Sequence, residues 1–526
     1  MKSLTILFAG TEPGHNFDKV FDGKSSFDLC CNWARSLKSS EKTVILTGKK
    51  ASEEVKKAIA GNDYFSIISK DEWTNSDIAG AVAEETSKAG ADFAIYAWAD
   101  TPFINNSLTE QLIHDHVEYK AEYTFADGFA AGLSPEIIHR GAASIISALS
   151  KDVQKAQGQK TASRDCFFSI MSGDINSFEI ETVLADKDYR MLRYNFECSS
   201  KSGLIACKAL FEKAKNLDSG LKTLNEFDVY KLSDAAEKMT EIQQTVPHFY
   251  NIQITSAENT KSLYSGFEKL FPQSKPEDMK LESFKKLVKD ISDFSETAVV
   301  SLSLFGEPLL HKDFVQMAKE VLSVKGLSLF VETDGLCVTE EMARELSEAG
   351  KIDWVIRLDA VDGDMYSKIN GISGENFAKA LNAVNILEKY FPETVYPQFT
   401  RMKANEIQLE SFFRFWKEKE NPSKGQFIIM KYDSFAGLLP DEKPADLSPL
   451  ERNSCWHLRR DMNILSDGSV PLCRTRVSEK AGNVFEDSLD SLDSIWKNIS
   501  KEVEKHINSD YCSVCKGCDE YYTFNF

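Results

Sequence analysis

C-W-H-L-R-R-D-M-N-I-L-S-D-G-S-V-P-L-C (residues 455–473) and C-S-V-C-K-G-C (residues 512–518) hold five of the eleven cysteines, all within the last 72 residues of the chain. The first stretch is a cysteine, twelve residues, Gly468, four residues and a second cysteine. The second is two overlapping C-x-x-C steps. Two thiolates from a C-x-x-C turn and two from a distant hairpin make a four-sulfur cage. Soft ligands in that number select zinc or an iron–sulfur cluster. Inert buried thiols or disulfides are the bland alternative, and five cysteines in this spacing favour ligation. Between Cys455 and Cys473 the pattern predicts a hairpin: an apolar strand at Met462–Leu465, a turn at Ser466-Asp467-Gly468 and a return strand at Ser469–Leu472. Gly468 supplies the backbone freedom that such a turn often needs.

The full chain of 526 residues is long enough for two to four domains with ample core. Its formal charge is −19, from 62 basic and 81 acidic residues, which argues against a general nucleic-acid or anionic-membrane surface. No apolar run reaches the roughly 18 residues of a membrane span. The opening M-K-S-L-T-I-L-F-A-G stops too soon, at Thr11-Glu12-Pro13, for a signal peptide and reads as a first strand. Clustered thiolates without an export signal point to the cytoplasm.

Residues 1–235 alternate strand and helix. Strands are expected at Leu4–Phe8, Thr43–Leu46 and Phe93–Ala97, with a helix over Phe27–Leu37. That order predicts an open, mostly parallel sheet. Asp100, just past the strand at Phe93–Ala97, stands where such sheets bind ligands. Residues 236–440 repeat the alternation, with strands expected at Asn251–Thr255, Val299–Leu304, Ser328–Thr333, Trp354–Leu358, Tyr396–Lys403 and Gln426–Met430. Helices are expected between them, as at Leu281–Phe294 and Glu340–Ala349. Six β/α units fit a partial barrel rather than a closed one. The expected fold is therefore a multidomain α/β chain: an α/β domain at 1–235, a partial barrel at 236–440 and a small cysteine-rich domain at 441–526.

The tail resembles the auxiliary-cluster domain of radical S-adenosylmethionine (SAM) proteins, called SPASM or, in its shorter form, twitch. Cys455, Gly468 and Cys473 meet its first signature. Gly482-Asn483-Val484-Phe485-Glu486-Asp487-Ser488-Leu489 and Ile495-Trp496 match its middle, and Cys515-Lys516-Gly517-Cys518-Asp519-Glu520-Tyr521 its end. The full SPASM form needs more cysteines than this tail has, so the resemblance implies one [4Fe–4S] cluster on Cys455, Cys473, Cys515 and Cys518. Cys512 is a spare or an alternative ligand.

Residues 236–440 resemble the radical SAM core. Phe305-Gly306-Glu307-Pro308-Leu309-Leu310-His311 is similar to the turn that binds the SAM amino group. Val331-Glu332-Thr333-Asp334-Gly335 and Arg357-Leu358-Asp359 match the turns after the next two strands. The family's C-x-x-x-C-x-x-C falls on Glu258, Ser262 and Ser265. A carboxylate and two hydroxyls are hard, weak ligands for that cluster, so no SAM cleavage is expected, SAM binding at Gly306, Glu307 and Pro308 is vestigial, and no catalytic residue is assigned.

Residues 1–235 resemble nucleotidyltransferases of the glycosyltransferase-A fold, through Leu7-Phe8-Ala9-Gly10-Thr11, Phe21-Asp22-Gly23-Lys24 and Trp98-Ala99-Asp100-Thr101-Pro102. In that family the Asp holds a divalent metal. Here Glu12 stands where a basic residue would meet a triphosphate. The whole order resembles the group named spiro-SPASM proteins. Three readings follow: an iron–sulfur protein without the SAM-cleaving cluster, whose barrel takes a small molecule or peptide; a sugar-nucleotide-forming nucleotidyltransferase acting through Asp100; and a zinc-stapled structural protein.

Overall fold

The computed structural model describes residues 1–157, 161–217, 223–272, 277–486 and 491–523, with backbone alone at 153–157. The expected motif positions Asp487, Ser488 and Leu489 lie outside the described residues. Two compact units are present, Met1–Thr245 and Val246–Phe526.

The first unit is built on seven strands: β1 (Ser3–Phe8), β2 (Ser40–Gly48), β3 (Phe65–Lys70), β4 (Phe93–Trp98), β5 (Tyr123–Asp127), β6 (Glu136–His139) and β7 (Ile180–Leu184). Their order is β3-β2-β1-β4-β6-β5-β7. β6 runs antiparallel to β4 and β5, and the other neighbours are parallel. Leu4, Ile6 and Phe8 pack on one face of the sheet and Leu7 on the other; Val44 and Leu46 oppose Ile45 in the same way. Burial on both faces is why these strands read as unbroken apolar runs. The helix at Ser26–Ser36 begins with a reciprocal cap between Ser25 and Asp28 and buries Phe27, Cys30, Trp33 and Ala34 against the sheet.

The second unit holds β8 (Phe249–Ile252), β9 (Ala298–Ser301), β10 (Leu327–Thr333), β11 (Ile352–Arg357), β12 (Val395–Arg401), β13 (Ile428–Lys431) and β14 (Asp461–Ile464). Their order is β13-β12-β11-β10-β9-β8-β14, parallel throughout. The sheet is an open half-barrel. Helix Leu281–Ser295 buries Phe284, Leu287, Val288 and Ile291, the stripe expected of a helix laid on such a sheet. On the other face, Phe249, Phe330 and Val355 form an apolar floor with Val299, Tyr396 and Ile428. Two residues further along their strands, Asn251, Ser301, Glu332, Arg357, Gln398 and Met430 line a cavity. Period-2 alternation thus turns one sheet face from apolar at its base to polar at the C-terminal strand ends.

The tail departs from the expected hairpin. The chain does reverse at Gly468, whose φ is +82°, and Leu465 N–H donates to the Ser469 carbonyl at 2.9 Å. The two arms take different partners, however. β14 pairs in parallel with β8, and β15 (Ser469–Pro471) pairs antiparallel with β16 (Lys480–Asn483). The reason is burial: Asp461, Met462, Asn463 and Ile464 are all buried, with Met462 and Ile464 in the barrel core. A strand covered on both faces belongs inside a sheet, not in an isolated ribbon. The last strand of the barrel sheet thus comes from segment 441–526. The helix at Val229–Glu237, which spans the expected boundary at 235, belongs to the first unit. Among the described residues no helix is long and apolar enough to cross a membrane.

Met462→Asp places a charge in the barrel core, so limited proteolysis should cut within 246–440 as well as in the tail. Cuts confined to residues beyond 440 would mean that β14 is dispensable to the barrel.

Candidate iron–sulfur site and barrel cavity

Two of the tail cysteines accept a backbone N–H at sulfur. Cys455 precedes the short helix Trp456–Arg460 that leads into β14. Cys473 follows β15, and its carbonyl accepts from Arg476 N–H at 3.2 Å. Cys512 caps the turn Ser513–Gly517, taking Cys515 N–H at 3.5 Å, and Cys518 takes Glu520 N–H at 3.5 Å. Cys455 and Cys518 each feel the charge of Cys473, and Cys515 that of Cys512 and Cys473. Burial pushes the Cys515 and Cys518 thiols up to about 12, and raises Cys455 and Cys473 as well. A cation must compensate before these sulfurs ionise. Part of that is built in: Arg474 and Arg476 bear on Cys473, and Arg476 Nη1 lies 3.9 Å from Cys515 Sγ. Both arginines adjoin Cys473 in sequence, a signal the motif reading passed over.

Among the described residues, one set of three or more His, Cys, Asp or Glu ligand atoms lies mutually within 4.8 Å: Asp433, Asp519 and Glu520. Its charge is answered by Lys431, Lys443 and Arg474. The cysteine sulfurs are spread more widely.

In the barrel, the expected turn at Gly306-Glu307-Pro308 docks on the loop that follows β8. Glu307 N–H donates to Ala257 O at 2.7 Å. Gly306 has φ +79°, and a Cβ there would lie 2.2 Å from Thr255 O, so glycine is required. The Glu307 carboxylate is 1% exposed. It accepts from Thr333 Oγ1 at 2.6 Å, Asp334 N–H at 2.8 Å and Arg357 Nη2 at 3.1 Å. It is spent on holding the turn after β10. Burial, reinforced by the charge of Asp334, pushes Glu307 up to about 7.

Glu258, Ser262 and Ser265 do not converge. Ser265 donates to Glu258 Oε1 at 3.3 Å, and both line the cavity. Ser262 is buried and donates to Asn370 Oδ1 at 2.8 Å. Arg357 enters the same cavity, reaching Glu307 and, at 3.8 Å, Glu332. The cavity holds about 160 Å³ and reaches as far as Lys431, Asp433 and Arg474 beside the tail.

Residues 259–402 match the family described as the radical SAM superfamily, and residues 455–519 match SPASM, an iron–sulfur cluster-binding domain. The chain belongs to the radical SAM/SPASM superfamily. It is 37% identical over 373 residues to an uncharacterized protein of Treponema pallidum, covering 68% of this chain and 98% of that one. Among solved structures it is similar to Streptococcus suis SuiB bound to precursor peptide SuiA, with 13% identity, a TM-score of 0.38, and coverage of 56% of this chain and 77% of that one. It is also similar to a cytidylyltransferase from Leptospira borgpetersenii, with 14% identity, a TM-score of 0.38, and coverage of 47% and 100%.

The superfamily segments leave the first unit uncovered. There Asp100 follows β4 as expected, but its carboxylate receives Arg164 Nη2 at 2.5 Å. Arg164 also pairs with Glu197 at 3.0 Å and lies over the Trp98 ring at 4.4 Å. A guanidinium thus stands against the carboxylate proposed to take a divalent ion. Nothing in the sequence pointed to Arg164, which lies 64 residues from Asp100 in a segment without a motif. Glu12, in the first loop, pairs with Lys50 at 2.7 Å on the surface.

Two outcomes are expected. Arg164→Met leaves Asp100 and Glu197 without their cation and costs about 2 kcal/mol, read from denaturant unfolding. Glu307, raised from its ordinary 4.5 to about 7, contributes stability that is full below about pH 4.5 and lost as pH rises towards 7. Glu307→Gln removes that part. The stability difference, native minus variant, should therefore fall between pH 4.5 and 7 and flatten above, in melting temperatures measured across pH; parallel profiles would place the titration elsewhere.

Proposed function

We propose that this chain is an iron–sulfur protein that binds a small molecule or peptide in its barrel, holds one [4Fe–4S] cluster in its tail, and does not cleave SAM. The observation that carries this reading is the fate of Glu258, Ser262 and Ser265. Three thiolates converging on one cluster are what the radical chemistry needs. In their place a carboxylate and a hydroxyl bond each other, the third side chain bonds Asn370, and Arg357 fills the space between the strand ends.

The tail residues fit a cluster. Cys455, Cys473, Cys515 and Cys518 would hold it, with Cys512 in reserve beside Cys515. The Glu520 N–H on Cys518 sulfur, and Arg474 and Arg476 beside Cys473 and Cys515, suit the negative charge of four thiolates around a cluster. The cluster would supply one-electron redox capacity or simply a fold-stabilising staple. Zinc is not favoured, because a single ion draws its sulfurs close together and the matched tail domain is described as iron–sulfur binding. The nucleotidyltransferase reading is not favoured either, with Arg164 on Asp100. The cytoplasm is the compartment this chemistry suits.

Anaerobically purified protein should carry about four irons and four sulfides per chain. Ser at position 455, 473, 515 or 518 should abolish most of that iron, and Cys512→Ser should keep most of it. Incubation with SAM and dithionite should yield no 5′-deoxyadenosine; several turnovers would overturn the reading.

A further inference from the structure

The barrel cavity carries an imbalance of charge and of hydrogen-bonding groups that specifies a ligand class. One guanidinium, Arg357, serves three carboxylates. Glu307 is 3.1 Å away, Glu332 is 3.8 Å away, and Glu258 feels its charge. Glu307 is fully engaged by the protein. Glu258 and Glu332 are not: Glu258 accepts one hydrogen bond, from Ser265 at 3.3 Å, and Arg357 is too far from Glu332 for a direct one. Each carboxylate can accept about four.

Gln398 gives a second, independent signal. It is 2% exposed and lines the cavity, yet its side-chain oxygen has no hydrogen-bond partner. Such a buried, unmatched acceptor carries a desolvation cost that a donor relieves. Arg357 Nε is also without a hydrogen-bond partner, but it lies 3.8 Å from Glu332 Oε1, so an anion there would meet that carboxylate. Lys431 and Arg474 also border the cavity, but Lys431 is tied to Asp519 and Glu520, and Arg474 to Asp433 and Glu520. Phe330 and Phe305 add apolar surface to the lining. The volume of about 160 Å³ has room for on the order of ten water-sized groups.

We propose that the cavity binds a small organic primary amine. Its ammonium is received by Glu258, where the superfamily pattern has a cluster thiolate, and by Glu332, a further donor reaches Gln398, and its apolar body lies against Phe330 and Phe305. The assignment rests on the reading above that Glu258 and Ser265 face a ligand and not iron.

The test uses the full chain with its tail intact. Calorimetric titration would compare tyramine and benzylamine with their neutral counterparts, tyrosol and benzyl alcohol, and with the anion 3-(4-hydroxyphenyl)propionate. At least one amine should bind about tenfold more tightly than its alcohol and than the anion. Glu332→Gln and Glu258→Gln should each weaken that amine about tenfold while leaving the alcohol unchanged. Either variant serves if the other does not fold. No binding of either amine, equal binding of amine and alcohol, preference for the anion, or amine binding indifferent to both substitutions would overturn the proposal. Iron, sulfide and 5′-deoxyadenosine measured on the same samples report separately. Full iron and no deoxyadenosine with no amine preference removes the amine assignment alone, whereas deoxyadenosine formation removes the functional reading beneath it.

Discussion

The pairing of β14 with β8 is the constraint on which the second unit depends. Asp461–Ile464 lies between Cys455 and Cys473, so fixing that strand in the barrel sheet places Cys455 one short helix before it and Cys473 beyond the turn and β15 that follow it. The remaining ligand candidates, Cys515 and Cys518, are brought in by the helix at Leu492–Ile507, whose Ile495, Trp496, Ile499 and Val503 are buried in the same core as Met462 and Ile464. The cysteine frame is therefore an edge of the barrel's own core. A sulfur cage on an independently folded tail would need the metal to exist at all; here packing does much of the positioning before any metal binds.

Arginine at the C-terminal ends of parallel strands organises both units. Arg357, on β11, answers Glu307 and Glu332; Arg164 answers Asp100 just beyond β4. These are the places where open α/β sheets take ligands. In the first unit the guanidinium pairs with both Asp100 and Glu197, while Asp100 Oδ1 stays buried without a hydrogen-bond partner. In the barrel Arg357 lies near two carboxylates, Glu307 and Glu332, on the wall of the cavity.

Much of the fold was legible in the sequence. Apolar runs located β1, β2, β4 and the strands within 236–440 to within a few residues, because parallel strands buried on both faces show themselves as such runs, whereas β3, β5, β6 and β7 were not read from the sequence. The turns at Gly306-Glu307-Pro308 and Gly468 were legible because glycine marks backbone that other residues cannot follow. The tail's SPASM match at 455–519 was legible because its motif spacing is local in the chain.

What the sequence could not determine was who pairs with whom. Met462–Leu465 next to a glycine turn reads as one arm of a hairpin, and only the barrel core, short of a neighbour for β8, decided otherwise. Ser262 looks equivalent to Glu258 and Ser265 in the chain, yet it bonds Asn370, a partner 108 residues away. Arg164 and Gln398 belong to no motif and matter only through what lies opposite them. The sequence by itself determined the residue types, the positions of β1, β2, β4 and β8 to β13, and the superfamily motifs. Strand order, the turning of individual side chains and the charge balance of the cavity were decided by tertiary structure, because each depends on contacts between segments far apart in the chain, where local pattern carries no information.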